Sequence, residues 1–180
     1  MFKRFSAEEN ISSVSQVKNS VQRGIIASII ESYPNIEPHI ETILPKKNLM
    51  VAKAQNNIQF VVINNEIMFF SVRDGPFVPT LKLLHQYPSI MPKMQVDRGA
   101  VKYVLNGADI MCPGFTSRGG ALPVPIEAEQ PVAIYAEGKE HAMAVGLTKM
   151  STEQIRTLNK GIAVESYHFL MDELWQIRTL

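Results

Sequence analysis

Apolar residues recur every three to four positions near the start of the chain, at Val14, Val17, Val21 and Ile25. Ser6 and Glu9 precede them with the spacing of a capping box, in which a serine and a glutamate close the first turn of a helix. A three-to-four-residue period places apolar side chains on one face of a helix. The pattern therefore predicts one long helix over residues 6–33.

The apolar face of this predicted helix becomes wider toward its end. Four residues share the wider face, which covers about half of the helix circumference: Ile26, Ile29, Ile30 and Tyr33. Burial in the core of the protein explains such a face, and so does contact with a protein partner. Both explanations stay open at the level of the sequence.

The remainder of the first half alternates short helices with strands. Pro34 ends the first helix, and the apolar spacing after it predicts a second, short helix. Three strand-like runs follow: residues 50–54, 58–63 and 66–72. Asn64-Asn65 lies between the last two runs, where a tight hairpin needs residues that tolerate positive φ. With another short helix over residues 80–87, residues 1–91 are predicted to form one α+β domain.

The second half contains many short predicted elements. Pro88 and Pro92 stand four positions apart and glycines become frequent after them, which favours a domain boundary between residues 91 and 92. The predicted elements are strands over 93–97, 108–112, 132–136 and 142–148, helices over 98–105 and from Ser151 to near Gly161, a loop over 113–130, and two final strands. Short strands separated by turns are typical of a small barrel. The predicted fold class is α+β, with an N-terminal α+β domain (1–91) followed by a small β-barrel (92–180).

Composition and charge exclude several classes of protein. The chain has 180 residues, of which 46% are hydrophobic, so it is not a disordered protein. Its single cysteine excludes an internal disulfide and a zinc site built from several thiolates. With no signal peptide and no apolar run of membrane length, we expect a soluble, cytoplasmic protein. Because 18 basic residues face 17 acidic ones, for a net charge of +1, any nucleic-acid site must be a local patch.

No pattern of residues predicts catalysis or metal binding. The four histidines are far apart in the sequence, and none lies in a metal-binding motif: His39, His85, His141 and His168. Gly138-Lys139 lacks the upstream glycine and the following Ser or Thr of a phosphate-binding loop. Cys112 lies in an apolar run, where a cysteine is more often a small buried residue than a nucleophile. We therefore expect no cofactor, no metal site and no enzymatic activity.

The segment with the clearest chemical character is VDRGAVKYVLNGADIMCPGFT, residues 96–116. Two Gly-Ala pairs flank one short predicted helix. Asp97 is placed to cap the start of this helix, and Gly107 is placed to close its end in the left-handed conformation. If Val101, Val104 and Leu105 face the core, Tyr103 faces solvent on the opposite side.

This helix and the turns around it are the predicted RNA-binding surface. The predicted RNA-binding residues are Arg98, Gly99, Lys102, Tyr103, Gly107, Gly114 and Lys139. Cations at these positions contact phosphates, a tyrosine offers a face to an unpaired base, and glycines allow a close approach of the backbone. The alternative is that the cations are only solvated and that Tyr103 packs on the neighbouring domain.

The second half resembles a PUA domain, the small RNA-binding barrel of pseudouridine synthases and archaeosine transglycosylases. The resemblance lies in the order GA, VLNGADIMCPGF and PVAIYAEGKEHAMAVGLTKMSTEQI. With MFKRF at the start, LPKKN, GPFVPTLKLLHQYP and the closing LWQI, nearly the whole chain is similar to the malignant T-cell-amplified sequence family, also called a translation-machinery-associated protein in fungi. The stretch SRGGALPVPIEAEQ, residues 117–130, departs from the pattern of this family.

The resemblance implies a noncatalytic translation factor. Such a factor binds the small (40S) ribosomal subunit and RNA, where a terminal CCA of tRNA or a ribosomal RNA loop suits the predicted surface. It works with the density-regulated protein in reinitiation, noncanonical initiation, tRNA release and post-termination recycling. The wide apolar face of Ile26, Ile29, Ile30 and Tyr33 is the predicted contact for this partner. Two alternatives remain: an accessory subunit of an RNA-modifying enzyme, and a protein-interaction adaptor that has lost RNA contact.

Overall fold

The computed structural model describes all of residues 1–180 and contains two five-stranded sheets. The first sheet is antiparallel in the order β1-β2-β3-β4-β5. Its strands are β1 (Ile11–Gln16), β2 (Leu49–Ala54), β3 (Ile58–Ile63), β4 (Glu66–Val72) and β5 (Val78–Pro79). The three predicted runs in this half are strands β2, β3 and β4. Asn64 and Asn65 make the predicted tight turn with φ values of 49° and 65°.

The predicted helix over residues 6–33 is wrong in its first half. The segment instead contains a single helical turn, α1 (Ala7–Asn10), then strand β1, and only then the helix α2 (Asn19–Ser32). The Ser6 side chain makes no cap, and the Ser6 N–H donates to Asn10 Oδ1 at 2.7 Å. β1 is extended because it pairs with β2. All six residues of this edge strand are exposed or half-buried, so its sequence lacks the alternation of apolar and polar residues that would have indicated a strand.

Short helices connect the strands of the first half and cover its sheet. After α2, a 3₁₀ segment over Pro34–His39 leads into α3 (Ile40–Ile43), and α4 (Leu81–Gln86) follows β5. The Thr80 hydroxyl caps α4, as its place at the start of the predicted helix suggests. No helix in the chain combines the length and the apolar character that crossing a bilayer requires.

The second sheet is mixed, in the order β6-β8-β9-β10-β7, with β6 and β8 parallel and the other pairs antiparallel. Its strands are β6 (Lys93–Val96), β7 (Ile110–Met111), β8 (Pro131–Ala136), β9 (Ala144–Thr148) and β10 (Ile162–Phe169). The helices of this half are α5 (Val101–Val104), α6 (Pro113–Thr116), α7 (Thr152–Leu158) and α8 (Glu173–Gln176). Ser151 and Gln154 form the predicted capping box of α7. The two expected final strands are one strand, β10, followed by the helical turn α8, which Asp172 caps.

One apolar core joins the two halves. Its main part lies between the first sheet and α2, where Ile29 and Tyr33 are 0% and 2% exposed. The second half contributes further residues to the same cluster, five from its sheet and one from α8: Ala133, Tyr135, Val145, Leu147, Tyr167 and Leu174. A smaller cluster fills the inside of the second sheet around Val96, Val132 and Ile155. The proposed division of the chain is a first unit, residues 1–91, and a second unit, residues 92–180, with an apolar contact between them.

Both ends of the chain lie at this contact. The ring of Phe2 packs between the rings of Phe60 and Phe70, at centroid distances of 6.0 and 5.2 Å. The Glu173 N–H donates to the Phe2 carbonyl at 2.9 Å, and the Leu180 N–H donates to the Asn65 carbonyl at 2.8 Å. The last residues therefore pack on the first unit although they follow the second sheet in the sequence.

Candidate nucleic-acid interface

The predicted helix of the second unit begins with Asp97 and ends at Gly107. Asp97 Oδ1 accepts the Ala100 N–H at 2.9 Å, which caps a 3₁₀ turn over Arg98–Ala100 that continues into α5. Gly107 has φ of 89°, and a Cβ added there would lie 3.1 Å from the ring of Phe169. The conformation at residue 107 requires glycine, because only glycine adopts this φ without strain.

A groove of about 460 Å³ runs beside this helix, and we call it the helix groove. Gly99 and Tyr103 line it from the helix, and Gly114 lines it from α6. Tyr103 is 59% exposed and Met111, on the opposite wall, is 49% exposed. The exposed side chains of Tyr103 and Met111 thus lie at the edge of the helix groove, where an unpaired base has room to stack.

A second cavity of about 680 Å³ lies on the other side of the same helix, and we call it the turn cavity. Arg98 and Lys139 both line it, together with the turn that joins β8 to β9. The Arg98 guanidinium lies over this turn, because Nη2 is 3.7 Å from the place of a Cβ on Gly138. Two predicted RNA-binding cations that are 41 residues apart in sequence are therefore neighbours in space.

The other two predicted residues lie outside both cavities. Lys102 is exposed on α5, and its Nζ is 5.0 Å from the centroid of the Tyr103 ring. Gly107 lies at the end of the helix against Phe169 and closes the turn. Five of the seven predicted RNA-binding residues therefore form two clusters with the helix between them, and Lys102 and Gly107 lie outside both.

The cations of this surface form no ion pair with a neighbouring acid. Arg98, Lys102 and Lys139 form no ion pair, whereas the three ion pairs of the chain join Arg73 and Lys149 to acidic residues. Glu137 and Glu140 line the turn cavity together with Arg98 and Lys139, and the two acids that line the helix groove have other roles. Asp97 caps the helix, and Asp109 Oδ1 accepts the Ser166 N–H at 2.9 Å. A phosphate approaching this surface meets positive charge without having to break a salt bridge.

The predicted inward face of the helix needs one correction. Val104 is buried at 2% exposure and Val101 is half-buried, but Leu105 is 40% exposed and lines the turn cavity. The helix changes from a 3₁₀ turn to one α-helical turn before Gly107, so its side chains do not follow a single 3.6-residue period. Two lining residues were not expected from the sequence, Met111 in the helix groove and His141 in the turn cavity.

The unusual stretch over residues 117–130 packs against the edge strand β6. Gln95 exchanges backbone hydrogen bonds with Ala121 at 2.9 Å in both directions, and its side-chain amide donates to the Gly119 carbonyl at 2.7 Å. Gly119 has φ of 97°, a conformation that strains any other residue, and the Glu137 carboxylate occupies the place that a Cβ would take. The expected loop over 113–130 also contains the helical turn α6 at its start.

The predicted partner surface keeps two of its four residues. Ile29 and Tyr33 belong to the core, where the Tyr33 hydroxyl donates to the Phe77 carbonyl at 2.5 Å and burial raises the pKa of the phenol. These two side chains are therefore not available to a partner. Ile26 and Ile30 are half-buried and line a cavity of about 500 Å³ together with Lys46.

Cys112 is an interior residue, 0% exposed. Its Sγ lies 3.6 Å from the Met150 sulfur and 3.5 Å from the Lys160 carbonyl. No group of three or more His, Cys, Asp or Glu side chains in the structure is placed to hold a metal ion.

Comparison with known proteins identifies both units. A Pre-PUA-like domain model matches residues 5–88, and a PUA domain model matches residues 92–170. Malignant T-cell-amplified sequence 1-A of Xenopus laevis is 48% identical over 180 residues, which is 99% of this chain and 99% of the relative. The chain belongs to the malignant T-cell-amplified sequence family. The Drosophila melanogaster homolog is 49% identical over 178 residues, and malignant T-cell-amplified sequence 2 of Homo sapiens is 47% identical over 180 residues, with coverage of 97% or more of each chain.

Solved structures show the same fold. A hypothetical protein of the archaeon Pyrococcus horikoshii superposes with a TM-score of 0.70 at 24% identity, covering 91% of this chain and 98% of that one. A PUA domain protein of Aeropyrum pernix, solved as a tartrate complex, superposes with a TM-score of 0.68 at 20% identity, covering 91% and 89%. The predicted α+β fold with a C-terminal PUA unit is confirmed. The PUA domain and the family together support an RNA-associated role for this chain.

Proposed function

We propose that the chain is a noncatalytic, cytoplasmic translation factor that binds the small ribosomal subunit through RNA. In this proposal it acts with the density-regulated protein in reinitiation, noncanonical initiation, tRNA release and post-termination recycling. The observation that carries the proposal is the surface around α5. Three cations without ion pairs and an exposed tyrosine lie on and beside one helix in a domain of the PUA family.

In the proposed complex, the two cavities bind different parts of one RNA strand. Arg98 and Lys139 contact phosphates in the turn cavity, and Lys102 contacts a phosphate on the outer face. Tyr103 stacks on an unpaired base at the rim of the helix groove. The 3′ CCA of a tRNA and a ribosomal RNA loop both present such bases.

The salt dependence of small-subunit binding tests this surface. Lys102→Glu with Lys139→Glu should weaken binding of the full chain to purified 40S subunits, measured by sedimentation across a salt titration. The log–log salt slope should flatten by about two, because each phosphate contact contributes about one unit. Lys18→Glu with Lys53→Glu makes the same change of charge at exposed positions on the first unit and should change neither affinity nor slope.

Two outcomes would reject the RNA surface. If the Lys102 and Lys139 variant binds subunits like the parent at every salt concentration, the RNA contacts lie elsewhere. If the parent itself binds with no dependence on salt, the chain contacts ribosomal protein and acts as an adaptor without RNA contact.

The partner surface consists of Ile26, Ile30 and Lys46 in this proposal. These side chains offer an apolar contact of moderate size next to a cation on the first unit. Ile26→Asp with Ile30→Asp should abolish capture of the density-regulated protein by the full chain. Val21→Asp on the same helix is the matched control, because Val21 is 48% exposed and lies outside this cavity. Equal capture by all three proteins would place the partner elsewhere.

A further inference from the structure

A fourth cavity, of about 530 Å³, lies where the C-terminal tail packs on the first unit. Its volume falls within the ~300–1,000 Å³ typical of small-molecule sites. We call it the junction cleft and define it by Lys82 and His85 of α4, Trp175 of α8, and Arg178 of the tail. None of the predicted RNA-binding residues is among these positions.

The junction cleft holds two cations without a bound carboxylate. Lys82 Nζ donates to the Ile177 carbonyl at 2.9 Å and lies 5.6 Å from the centroid of the Trp175 ring. Burial and the nearby charge of Arg178 lower the pKa of Lys82, and the one acid of the cleft, Glu66, opposes this shift without forming an ion pair. Two like charges held close together in this way favour binding of an anion between them.

Aromatic rings line the cleft and lead out of it. The His85 ring lies 5.4 Å from the Trp175 ring and 5.2 Å from the His141 ring, measured between centroids. His85 Nε2–H donates to the Ala142 carbonyl at 2.7 Å, which fixes the orientation of the ring. His141 is exposed and also lines the turn cavity. The rings therefore connect the junction cleft with the surface that carries Arg98 and Lys139.

We propose that the junction cleft binds an unpaired nucleotide of the same RNA strand that contacts the PUA helix. A phosphate of this nucleotide lies between Lys82 and Arg178, and its base stacks on the aromatic rings that line the cleft. This inference rests on the proposed function, because it extends the RNA path from the turn cavity across the contact between the two units. An acidic peptide also meets the charge of the cleft, but it makes no use of three neighbouring aromatic rings, whereas stacking on such rings is a general way to bind single-stranded RNA.

Trp175 is the only tryptophan of the chain, so its fluorescence reports directly on this cleft. The full chain is titrated with an unstructured 12-nucleotide RNA, with excitation of Trp175 in one set of samples and anisotropy of 5′-labelled RNA in another. We expect saturable quenching of Trp175 with the same midpoint as the anisotropy change. Poly-glutamate at equal charge concentration should not quench.

Three variants test the junction cleft, and a fourth tests its connection to the turn cavity. Arg178→Gln should lower the log–log salt slope by about 0.7, the contribution of one phosphate contact on a single strand, and Arg178→Lys should keep it. Glu66→Gln removes the only acid of the cleft and should bind RNA more tightly than the parent, a gain that a purely structural role would not give. His141→Ala should weaken RNA binding at least about fivefold through lost stacking.

The outcomes distinguish this inference from the proposed function. RNA binding by anisotropy without quenching of Trp175, or with an unchanged slope in Arg178→Gln, would overturn the junction cleft and leave the PUA surface intact. Absence of any anisotropy change would overturn both. Equal quenching by poly-glutamate would replace the nucleotide with an acidic peptide as the occupant.

Discussion

Replacing Asp172 with alanine removes a carboxylate that accepts three hydrogen bonds at the contact between the two units. Oδ2 accepts His168 Nδ1–H at 2.7 Å and the Phe169 N–H at 3.0 Å, and Oδ1 accepts the Trp175 N–H at 2.8 Å. On the other side of its ring, His168 Nε2 accepts the Leu81 N–H at 3.2 Å. The pair therefore joins β10 of the second unit to the start of α4 in the first unit.

The geometry gives the size of the effect. The side chains of His168 and Asp172 are 1% and 0% exposed, so alanine leaves two buried donors without acceptors. Each such donor costs about 1–3 kcal/mol, and the lost N-cap of α8 costs about 1 kcal/mol more. The free energy of unfolding should fall by at least about 3 kcal/mol, a large part of the ~5–15 kcal/mol typical of a folded chain. Asp172→Asn keeps one of the two acceptor oxygens and should lose less.

Urea unfolding at pH 7.5 measures the change, followed by Trp175 fluorescence and by far-ultraviolet circular dichroism. Coincidence of the two curves would establish that the units unfold together. Glu173→Gln, an exposed neighbour of Asp172, should stay within about 0.5 kcal/mol of the parent. If the free energy of unfolding of Asp172→Ala lies within about 1 kcal/mol of the parent, the hydrogen bonds of this pair do not hold the units together.

Three further predictions concern single positions. Burial lowers the pKa of His168 below its value of 6.5 in the unfolded chain, so the unfolded state binds more protons than the folded state just below pH 6.5. The free energy of unfolding should therefore be largest above pH 6.5 and fall as the pH drops below it. The urea midpoints at pH 7.5 and 5.5 should differ less in His168→Gln than in the parent. Gly107→Ala should lower stability by about 1–2 kcal/mol in thermal unfolding because of its positive φ and its contact with Phe169, whereas Gly24→Ala, in an open helical position, should raise it by about 0.5–1 kcal/mol. Cys112→Ser should cost about 1–3 kcal/mol from burying a hydroxyl but leave RNA affinity by anisotropy unchanged. A selective loss of binding in a stably folded variant would contradict a purely structural role for Cys112.

Local signals in the sequence predict local structure well. The Asn-Asn turn between β3 and β4, the capping box of α7 and the Asp97 cap all depend on residues within a few positions of one another. Each forms as predicted because neighbouring backbone groups determine its geometry. Tyr103 is exposed for the same reason, since the capped turn fixes which side of the helix faces out.

The failures come from contacts between distant segments. β1 is extended because it pairs with β2, about 40 residues later, and the helical spacing of Val14, Val17 and Val21 does not report this pairing. Ile29 and Tyr33 belong to the core because the first sheet covers them, which the width of an apolar face cannot distinguish from a partner site. The junction cleft combines side chains about 90 residues apart in sequence, Lys82 and Trp175, so no local sequence motif predicts it.

The shared core also constrains how the protein is made. Tyr167 and Leu174 complete the packing around the first sheet, yet they are synthesised long after it. At elongation rates of ~5–20 residues per second, the first 91 residues wait roughly 5 to 20 seconds for these partners. During that interval a nascent first unit exposes the apolar surface that the second sheet later covers, so interrupted synthesis leaves a product that chaperones and proteases can recognise as unfinished.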